Sequence, residues 1–378
     1  GTESEVSSLL KSSKYTRVLL HYGSGSVIRT GLLDNIKSSL DKADIDYVEF
    51  GGVVANPRLS LVYKGIELAK SKGVDFILAV GGGSVIDSAK AIAYGAAADF
   101  DVWDLYDRKR TPESALPVGV ILTIAAAGSE MSNSSVITNE DGGIKRGYSN
   151  NMVRPKFAIL NPELTMTLPD FQTACGCTDI MMHTMERYFT DVKETNVFTD
   201  RVAEALIRTV MESVQRLLVS RKDYDAMSEL MWCGSVSHSN FTELGRRKDF
   251  SVHKLGHELS ARFDATHAMT LTALWGSWAR HVYRYDAARF AQFAGAIFGI
   301  DAGTDEERAR AGIRCMEEFF ASIEMPTSLA GLAEIGTLTK GAIEDIARAA
   351  TANDTVRLGV FHPLTCADAI AIYEMANH

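Results

Sequence analysis

The chain has 378 residues, 46% of them hydrophobic, and a formal net charge of −9. This length and apolar content favour two globular domains with large cores. Acidic and basic residues are interspersed, so no segment is typical of a protein that binds nucleic acid or an anionic membrane surface. The longest apolar runs are too short to cross a bilayer, so no membrane partner is expected.

The cysteines and the first residues bear on the cellular compartment. The five cysteines are scattered, and their odd number argues against a disulfide framework. A reducing, cytoplasmic location is therefore expected. The chain starts at Gly1 without a basic and apolar leader, so no signal peptide is expected.

The first part of the chain alternates short apolar strands with amphipathic helices. Strands are predicted at residues 17–21, 47–50, 75–80, 118–123, 134–138 and 157–160. Helices are predicted between them at residues 27–43, 59–72 and 85–93. The strand at 75–80 is apolar on both faces, which is typical of a parallel strand covered on both sides. Residues 1–168 are therefore predicted to form a doubly wound, Rossmann-like α/β domain with a parallel sheet.

Turns rich in small residues follow two of these strands. The first reads Gly23-Ser24-Gly25-Ser26, and the second reads Gly81-Gly82-Gly83-Ser84. Glycines let the backbone approach a phosphate, and the N–H groups at a helix start bind the anion. Neither standard nucleotide fingerprint is present, so the second turn alone is also consistent with a tight loop that binds nothing. The preceding strand, the following helix and the nearby Asp87 favour a phosphate site.

After residue 168 the strand signals nearly vanish, and residues 169–378 are predicted to form an all-helical domain. Its helices are predicted at residues 171–190, 199–220, 224–241, 249–263, 267–283, 287–298 and 305–323. Pro326 and the glycines near Gly331 and Gly336 are expected to interrupt the tail.

This second part contains a set of possible metal ligands. Asp179 and His183 are four residues apart, so they share one helical face, and His253 and His257 do the same on another helix. His267 follows at the start of the next predicted helix. One carboxylate with several imidazoles predicts a site for Zn²⁺ or Fe²⁺. A catalytic ion keeps one position open, so one of the four histidines is expected to carry protons instead.

Each pair has an ordinary structural interpretation when it is considered alone. An isolated Asp–His pair is more often a surface hydrogen bond, and an isolated H-x-x-x-H pair is more often not a metal site. The combination in largely apolar helices favours the metal. The other histidines are predicted to be packing, capping or surface residues: His21, His238, His281, His362 and His378.

Taken together, these segments resemble the iron-containing (group III) alcohol dehydrogenase family, and most of all its NADPH-dependent butanol dehydrogenase branch. The resemblance covers nearly the whole chain. The segments that carry it are residues 50–57, 75–90, 123–139, 178–183 and 253–260. The resemblance implies a Rossmann-like domain followed by a helical metal-binding domain.

The resemblance also implies roles for single residues. The four implied metal ligands are Asp179, His183, His253 and His267. His257 matches the histidine near the substrate and is the implied catalytic proton relay. The implied cofactor-binding residues are Gly23, Ser24, Gly25, Ser26, Gly81, Gly82, Gly83, Ser84, Asp87, Thr123, Ser129 and Lys145.

Two further implications concern the cofactor. Relatives that prefer NAD carry an acidic residue in the first turn, which would repel a 2′-phosphate. This chain has none there, and Arg29 follows, so NADP(H) is expected over NAD(H). Ala127 stands where the family usually has threonine, which removes a possible hydrogen bond to the cofactor.

The predicted function is reversible hydride transfer between NAD(P)(H) and a primary aliphatic alcohol or aldehyde, such as butanol or butanal. One divalent metal, Fe²⁺ or Zn²⁺, is expected to act as a Lewis acid. A homodimer is expected because relatives are often dimers. Two alternatives are a dehydroquinate-synthase-like lyase, whose Glu, His, His metal set Asp179 fits poorly, and a nucleotide- and metal-binding sensor without turnover, which only Ala127 favours.

Overall fold

The computed structural model describes residues 1–23 and 25–378, so Ser24 of the predicted first turn lies outside the described residues. The chain divides into two compact units, Gly1–Leu168 and Pro169–His378. Among the described residues, no helix combines the length and apolarity that a membrane span requires.

The first unit is built on a parallel sheet. Its strands and those of a separate antiparallel hairpin are β1 (Arg17–Gly23), β2 (Asp46–Val53), β3 (Phe76–Gly81), β4 (Val118–Leu122), β5 (Ser134–Asn139), β6 (Ile144–Ser149) and β7 (Phe157–Leu160). In the described part of the chain the sheet order is β2-β1-β3-β4-β7, and β5 pairs with β6. The order reverses between β1 and β3. In doubly wound sheets, ligands bind beyond the carboxyl ends of the strands at such a switch point.

Helices cover both faces of this sheet. They are α1 (Val6–Ser12), α2 (Ser26–Arg29), α3 (Leu32–Asp41), α4 (Leu59–Lys72), α5 (Gly83–Ala97) and α6 (Trp103–Tyr106). Val18 and Leu20 of β1 share one buried cluster with Leu33 and Ile36 of α3. On the alternate face of β1, His21 contacts Ser88 of α5. The predicted doubly wound α/β fold is confirmed.

Two predicted boundaries in this unit were wrong because of glycines. The helix predicted at residues 27–43 is two helices, separated at Gly31, whose φ of +74° ends the first and starts the second. The strand predicted to end before Gly51 continues to Val53 as part of β2. A glycine breaks a helix or permits a bend in a strand, and only the surrounding contacts decide which.

The second unit is helical. Its helices are α7 (Asp170–Tyr188), α8 (Val197–Val219), α9 (Tyr224–Ser237), α10 (Ser251–Phe263), α11 (His267–Val282), α12 (Ala287–Phe298), α13 (Asp305–Ser322), α14 (Lys340–Ala350) and α15 (Cys366–Ala376). The helix predicted at residues 224–241 ends earlier, at Ser237, and Asn240 follows with a φ of +77°. The helices α14 and α15 were not predicted from the sequence.

A glycine in the central sheet makes room for two stacked rings. Gly119 of β4 lies between Phe76 of β3 and Phe157 of β7, whose ring centres are 5.7 Å apart. A Cβ atom at Gly119 would lie 2.5 Å from Phe157 Cζ and 2.8 Å from Phe76 Cζ. Both distances are shorter than van der Waals contact, so a side chain here requires the rings to move.

We therefore predict that Gly119→Ala lowers the free energy of unfolding by about 1–3 kcal/mol, the usual cost of overpacking a core. Gly147→Ala in β6 is the matched control, because a Cβ there meets Val136 Cγ2 at an ordinary 3.5 Å. Urea denaturation followed by circular dichroism measures both. Equal midpoints for the two variants would contradict the packing described here.

A buried histidine couples the stability of this unit to pH. His21 is fully buried; its Nδ1 donates to the Phe50 carbonyl at 2.7 Å, and its Nε2 lies 2.9 Å from Ser88 Oγ. Burial lowers the pKa of His21 from 6.5 to about 4, although the Phe50 carbonyl opposes the shift. The unfolded chain therefore binds the proton more readily than the folded chain.

Since the folded pKa is depressed, stability should fall as the pH drops from about 6.5 towards 4, by up to about 3 kcal/mol from His21. His21→Gln does not titrate. The difference in unfolding free energy between wild type and variant should narrow by that amount over this window. Urea denaturation at pH values between 7.5 and 4.5 measures it, and a constant difference would contradict the prediction.

Candidate functional site

The predicted metal ligands come from three helices of the second unit. Asp179 and His183 lie one turn apart on α7. His253 lies in the first turn of α10, and His267 is the first residue of α11. Asp179, His183 and His253 are buried, and each offers a ligand atom within 4.8 Å of the others.

Three imidazole nitrogens converge on one carboxylate oxygen. The Nε2 atoms of His183, His253 and His267 lie 3.8, 3.6 and 3.9 Å from Asp179 Oδ1. These separations are too long for hydrogen bonds, and they suit atoms that share one small ion at about 2 Å. Among the described residues, Asp179 Oδ1 and His253 Nε2 have no hydrogen-bond partner. A buried polar atom without a partner costs about 1–3 kcal/mol, and a cation would remove that cost.

The protonation of the cluster also suits a cation. Burial, together with His238 and His253, holds the pKa of His183 well below its usual value. His183 is therefore neutral, as a ligand must be. Burial opposes the charge on His253, but the Glu186 and Asp179 carboxylates raise its pKa to about 9. Negative charge at this point favours a cation, whether a proton or a metal ion.

Close packing of α10 and α11 brings the later histidines together. A Cβ atom at Gly256 would lie 2.8 Å from Thr270 Oγ1, so a larger residue would push the helices apart. With glycine there, the ring centres of His253 and His267 are 5.3 Å apart. His257 lies one turn after His253, and its ring centre is 5.2 Å from that of His267. The structure thus places the predicted proton relay beside the cluster.

Several neighbours of this cluster were not predicted from the sequence. The ring of His238, predicted to be a packing, capping or surface residue, lies 4.3 Å from that of His183. Arg187 is buried and donates to the His183 carbonyl at 2.6 Å and to Glu243 at 2.8 Å. Phe250 has a φ of +56°, and its ring lies 5.1 Å from the Arg187 guanidinium. A bulky residue in this left-handed region is strained, so the surrounding contacts hold it there.

The predicted nucleotide turns lie in the first unit, at neighbouring strand ends. Gly23 ends β1, Gly25 precedes α2, and Ser26 is the first residue of α2. Gly81 ends β3, Gly82 precedes α5, and Gly83 and Ser84 form the first turn of α5. Because β1 and β3 are paired, the two turns lie side by side at the switch point of the sheet. In the described residues, no side chain caps the start of α5, as an anion site requires.

The second turn has no room for side chains at two positions. A Cβ at Gly81 would lie 2.5 Å from Val85 Cγ2, and one at Gly82 would lie 2.2 Å from Ile124 Cγ2. At Gly83 the nearest atom would be Ala127 Cβ, at 3.7 Å. Ala127, the departure from the family pattern, therefore lies directly beside the turn.

Asp87 and Ser129 are held by each other and by the hairpin. Asp87 Oδ1 accepts from Ser129 Oγ at 2.6 Å, and Oδ2 accepts from the Val136 N–H at 2.9 Å. Lys90 is fully buried, and its Nζ lies 2.7–3.0 Å from five oxygens of Ser129, Ser132 and Ser134. Burial lowers the pKa of Lys90 to about 8, against the effect of Asp87 and Glu130. These bonds fasten the loop after β4 to α5.

The contacts of Thr123, Lys145 and Arg29 are also defined. The Thr123 N–H donates to the Gly81 carbonyl at 3.2 Å. Lys145 of β6 donates to Asn56 Oδ1 at 2.9 Å. Arg29 of α2 folds back over the first turn, since its Nη1 lies 2.5 Å from the position of a Cβ at Gly25. The first turn therefore has a cation beside it.

Comparison with known proteins agrees with this architecture. Residues 1–162 match the iron-containing alcohol dehydrogenase family, and residues 173–377 match its C-terminal family description. The chain belongs to the iron-containing alcohol dehydrogenase family. As predicted, this alcohol dehydrogenase is an oxidoreductase acting on CH–OH groups, with an NAD(P) cofactor and a metal.

Named relatives cover almost the whole chain. The probable NADH-dependent butanol dehydrogenase 1 of Bacillus subtilis is 40% identical over 94% of this chain and 90% of its own length. The NADPH-dependent aldehyde reductase YqhD of Escherichia coli is 34% identical over 96% of this chain and 92% of its own length. The crystal structure of NADH-dependent butanol dehydrogenase A from Thermotoga maritima matches with a TM-score of 0.95 and 34% identity, covering 100% of this chain and 95% of that chain.

Proposed function

We propose that this alcohol dehydrogenase holds one divalent metal ion, Fe²⁺ or Zn²⁺, with Asp179, His183, His253 and His267. The observation that carries the proposal is the convergence of three Nε2 atoms on Asp179 Oδ1 in a cluster that is largely buried. We further propose that the substrates are primary aliphatic alcohols and aldehydes, such as butanol and butanal. Relatives named butanol dehydrogenases and aldehyde reductases support this substrate class.

Two bound groups complete the chemistry. A divalent ion supplies Lewis acidity at the substrate oxygen, and the nicotinamide supplies the hydride chemistry. Three nitrogen ligands and one oxygen ligand suit either Fe²⁺ or Zn²⁺. In this proposal the protein fixes the ligand atoms before the metal binds, because α7 and the packed helices α10 and α11 carry them.

His257 is proposed to move the proton. It lies partly exposed, one turn from His253, and its ring is 5.2 Å from that of His267. An imidazole exchanges protons near neutral pH, so it can take the hydroxyl proton of an alcohol and pass it to solvent. In aldehyde reduction the same ring returns the proton.

The nucleotide is proposed to bind at the two turns after β1 and β3, with its pyrophosphate at the start of α5. Gly82, Gly83 and Ser84 provide backbone N–H groups there. We propose that the same site is lined by Asp87, Thr123, Ser129 and Lys145. The hydrogen bond between Asp87 and Ser129 holds the loop after β4 against α5 and so shapes the site. Arg29 beside the first turn favours a 2′-phosphate, so NADP(H) is preferred over NAD(H).

The homodimer and the cytoplasmic location stay predictions. The homodimer is inferred from the family resemblance, and the cytoplasmic location from the scattered cysteines.

We predict that His267→Ala impairs metal binding, whereas His257→Ala impairs proton transfer and leaves metal binding intact. Loss of the His267 ligand should weaken metal binding by more than about 100-fold and abolish turnover with it, since even outer partners of a ligand contribute 10–100-fold. His257→Ala should keep the metal, lower kcat by roughly 10²–10⁴-fold and alter its pH profile. Metal analysis and the rate of NADPH oxidation with butanal measure the two effects.

His281→Ala is the control for these variants, because His281 is paired with Asp368 of α15 at 2.9 Å. It should keep both the metal and the activity. If His257→Ala lost the metal while His267→Ala kept it, the two roles would be exchanged. A wild-type protein that binds neither Fe²⁺ nor Zn²⁺ would end the proposal.

We predict that Arg29→Ala raises KM for NADPH by roughly 10-fold or more and leaves KM for NADH nearly unchanged, since hydrogen bonds to charged groups contribute about 1.5–3 kcal/mol. Steady-state kinetics with both cofactors measure the change. Arg17→Ala is the matched control, because Arg17 is at the amino end of β1, away from the first turn, and is paired with Asp46. Equal changes for both cofactors would contradict the proposed role of Arg29.

A further inference from the structure

A buried acidic residue lies beside the metal cluster but outside the proposed ligand set. Glu186 is on α7, three residues after His183 and seven after Asp179, and only 1% of its surface is exposed. These spacings place it on the helical face that carries both ligands. Its buried carboxylate has hydrogen-bond partners on α10.

Both carboxylate oxygens of Glu186 contact the same histidine. Oε1 accepts from the main-chain N–H of His253 at 3.1 Å, and Oε2 is hydrogen-bonded to His253 Nδ1. The main-chain carbonyl of Glu186 also accepts from the Asp249 N–H at 2.8 Å. Glu186 therefore fixes the first turn of α10 and the ring of His253 together.

This contact helps to cap the start of α10, beside a local bond from the Ser251 N–H to Asp249 Oδ1 at 3.0 Å. Phe250 precedes the helix and provides no side-chain cap. His253 is the third residue of α10, so Glu186 accepts one of the N–H groups that a capping side chain usually satisfies. The negative charge also lies at the positive end of the helix dipole. A carboxylate on another helix thus does the work of a local cap.

We propose that Glu186 is a positioning residue that fixes the tautomer and the ring orientation of His253 for metal binding. A carboxylate only accepts hydrogen bonds, so the proton of the neutral ring must be on Nδ1. Nε2 then carries the lone pair and points towards Asp179 Oδ1, 3.6 Å away. This inference rests on the metal site proposed above, and it concerns a residue that does not itself touch the metal.

Glu186→Gln removes the negative charge and one acceptor oxygen of the carboxylate but keeps the size of the side chain. If the amide NH₂ faces Nδ1, the proton of the imidazole moves to Nε2 and blocks the ligand atom. If the amide oxygen faces Nδ1, the NH₂ group meets the His253 N–H, and two donors oppose each other. Both arrangements should weaken Zn²⁺ binding by roughly 10–100-fold, as is usual for such outer partners.

The experiment titrates Zn²⁺ into metal-free protein against a chromophoric chelator. Glu204→Gln is the matched control, since Glu204 is also buried and accepts from the Tyr188 hydroxyl at 2.9 Å. It should bind Zn²⁺ as the wild type does. An affinity of Glu186→Gln within twofold of wild type, with an unchanged circular dichroism spectrum, would overturn the inference.

A second measurement needs no Glu186 variant. In wild-type protein labelled with ¹⁵N-histidine and loaded with Zn²⁺, long-range ¹H–¹⁵N spectra should show the His253 proton on Nδ1. The His253 signals are assigned by their absence in His253→Asn. A proton on Nε2, or coordination through Nδ1, would overturn the inference even if Glu186→Gln failed to fold.

The two proposals fail in different ways. If wild-type protein binds no Zn²⁺, the proposed metal function fails and this inference fails with it. If wild-type protein binds Zn²⁺ and His267→Ala does not, while Glu186→Gln binds as wild type, only the role of Glu186 is wrong.

Discussion

The helical unit depends on the placement of one carboxylate oxygen against three imidazole nitrogens. Asp179 Oδ1 and the Nε2 atoms around it are all electron-rich when the histidines are neutral, and most of the cluster is buried. Such an arrangement is unfavourable without a cation. The packing of α7 against α10 and α11 must therefore hold the atoms in place. In this proposal the empty cluster lowers the free energy of unfolding, and binding of a metal ion raises it again.

The surrounding contacts show how the fold holds this arrangement. Gly256 lets α10 and α11 approach, and Arg187 joins α7 to the short helix that contains Glu243. Phe250 adopts an unfavourable backbone conformation immediately before α10. A strained residue beside a site is consistent with a conformation that the surrounding contacts enforce. The bond from Glu186 to His253 belongs to the same set of contacts.

Local patterns predicted much of this structure, and long-range contacts explain what they missed. The continuous apolar run of β3, the glycines after it and the helix start of α5 are adjacent in the sequence, so the turn could be recognised. The i,i+4 spacing placed Asp179 and His183 on one face. The sequence does not show which helical faces meet, so the contact between Glu186 and His253, 67 positions apart, could not be predicted. In the sequence, no acidic residue or histidine lies three or four positions from His238, and its position beside His183 depends on where α9 ends.

Lys90 illustrates how the loop after β4 resists mutation. An ammonium group has three N–H donors, and here five oxygens surround it. Three of them are the main-chain carbonyls of Ser129, Ser132 and Ser134, which no substitution removes. The serine hydroxyls are therefore redundant for holding the lysine, whereas the lysine has no substitute. Selection should therefore tolerate loss of the Ser132 hydroxyl and remove substitutions of Lys90.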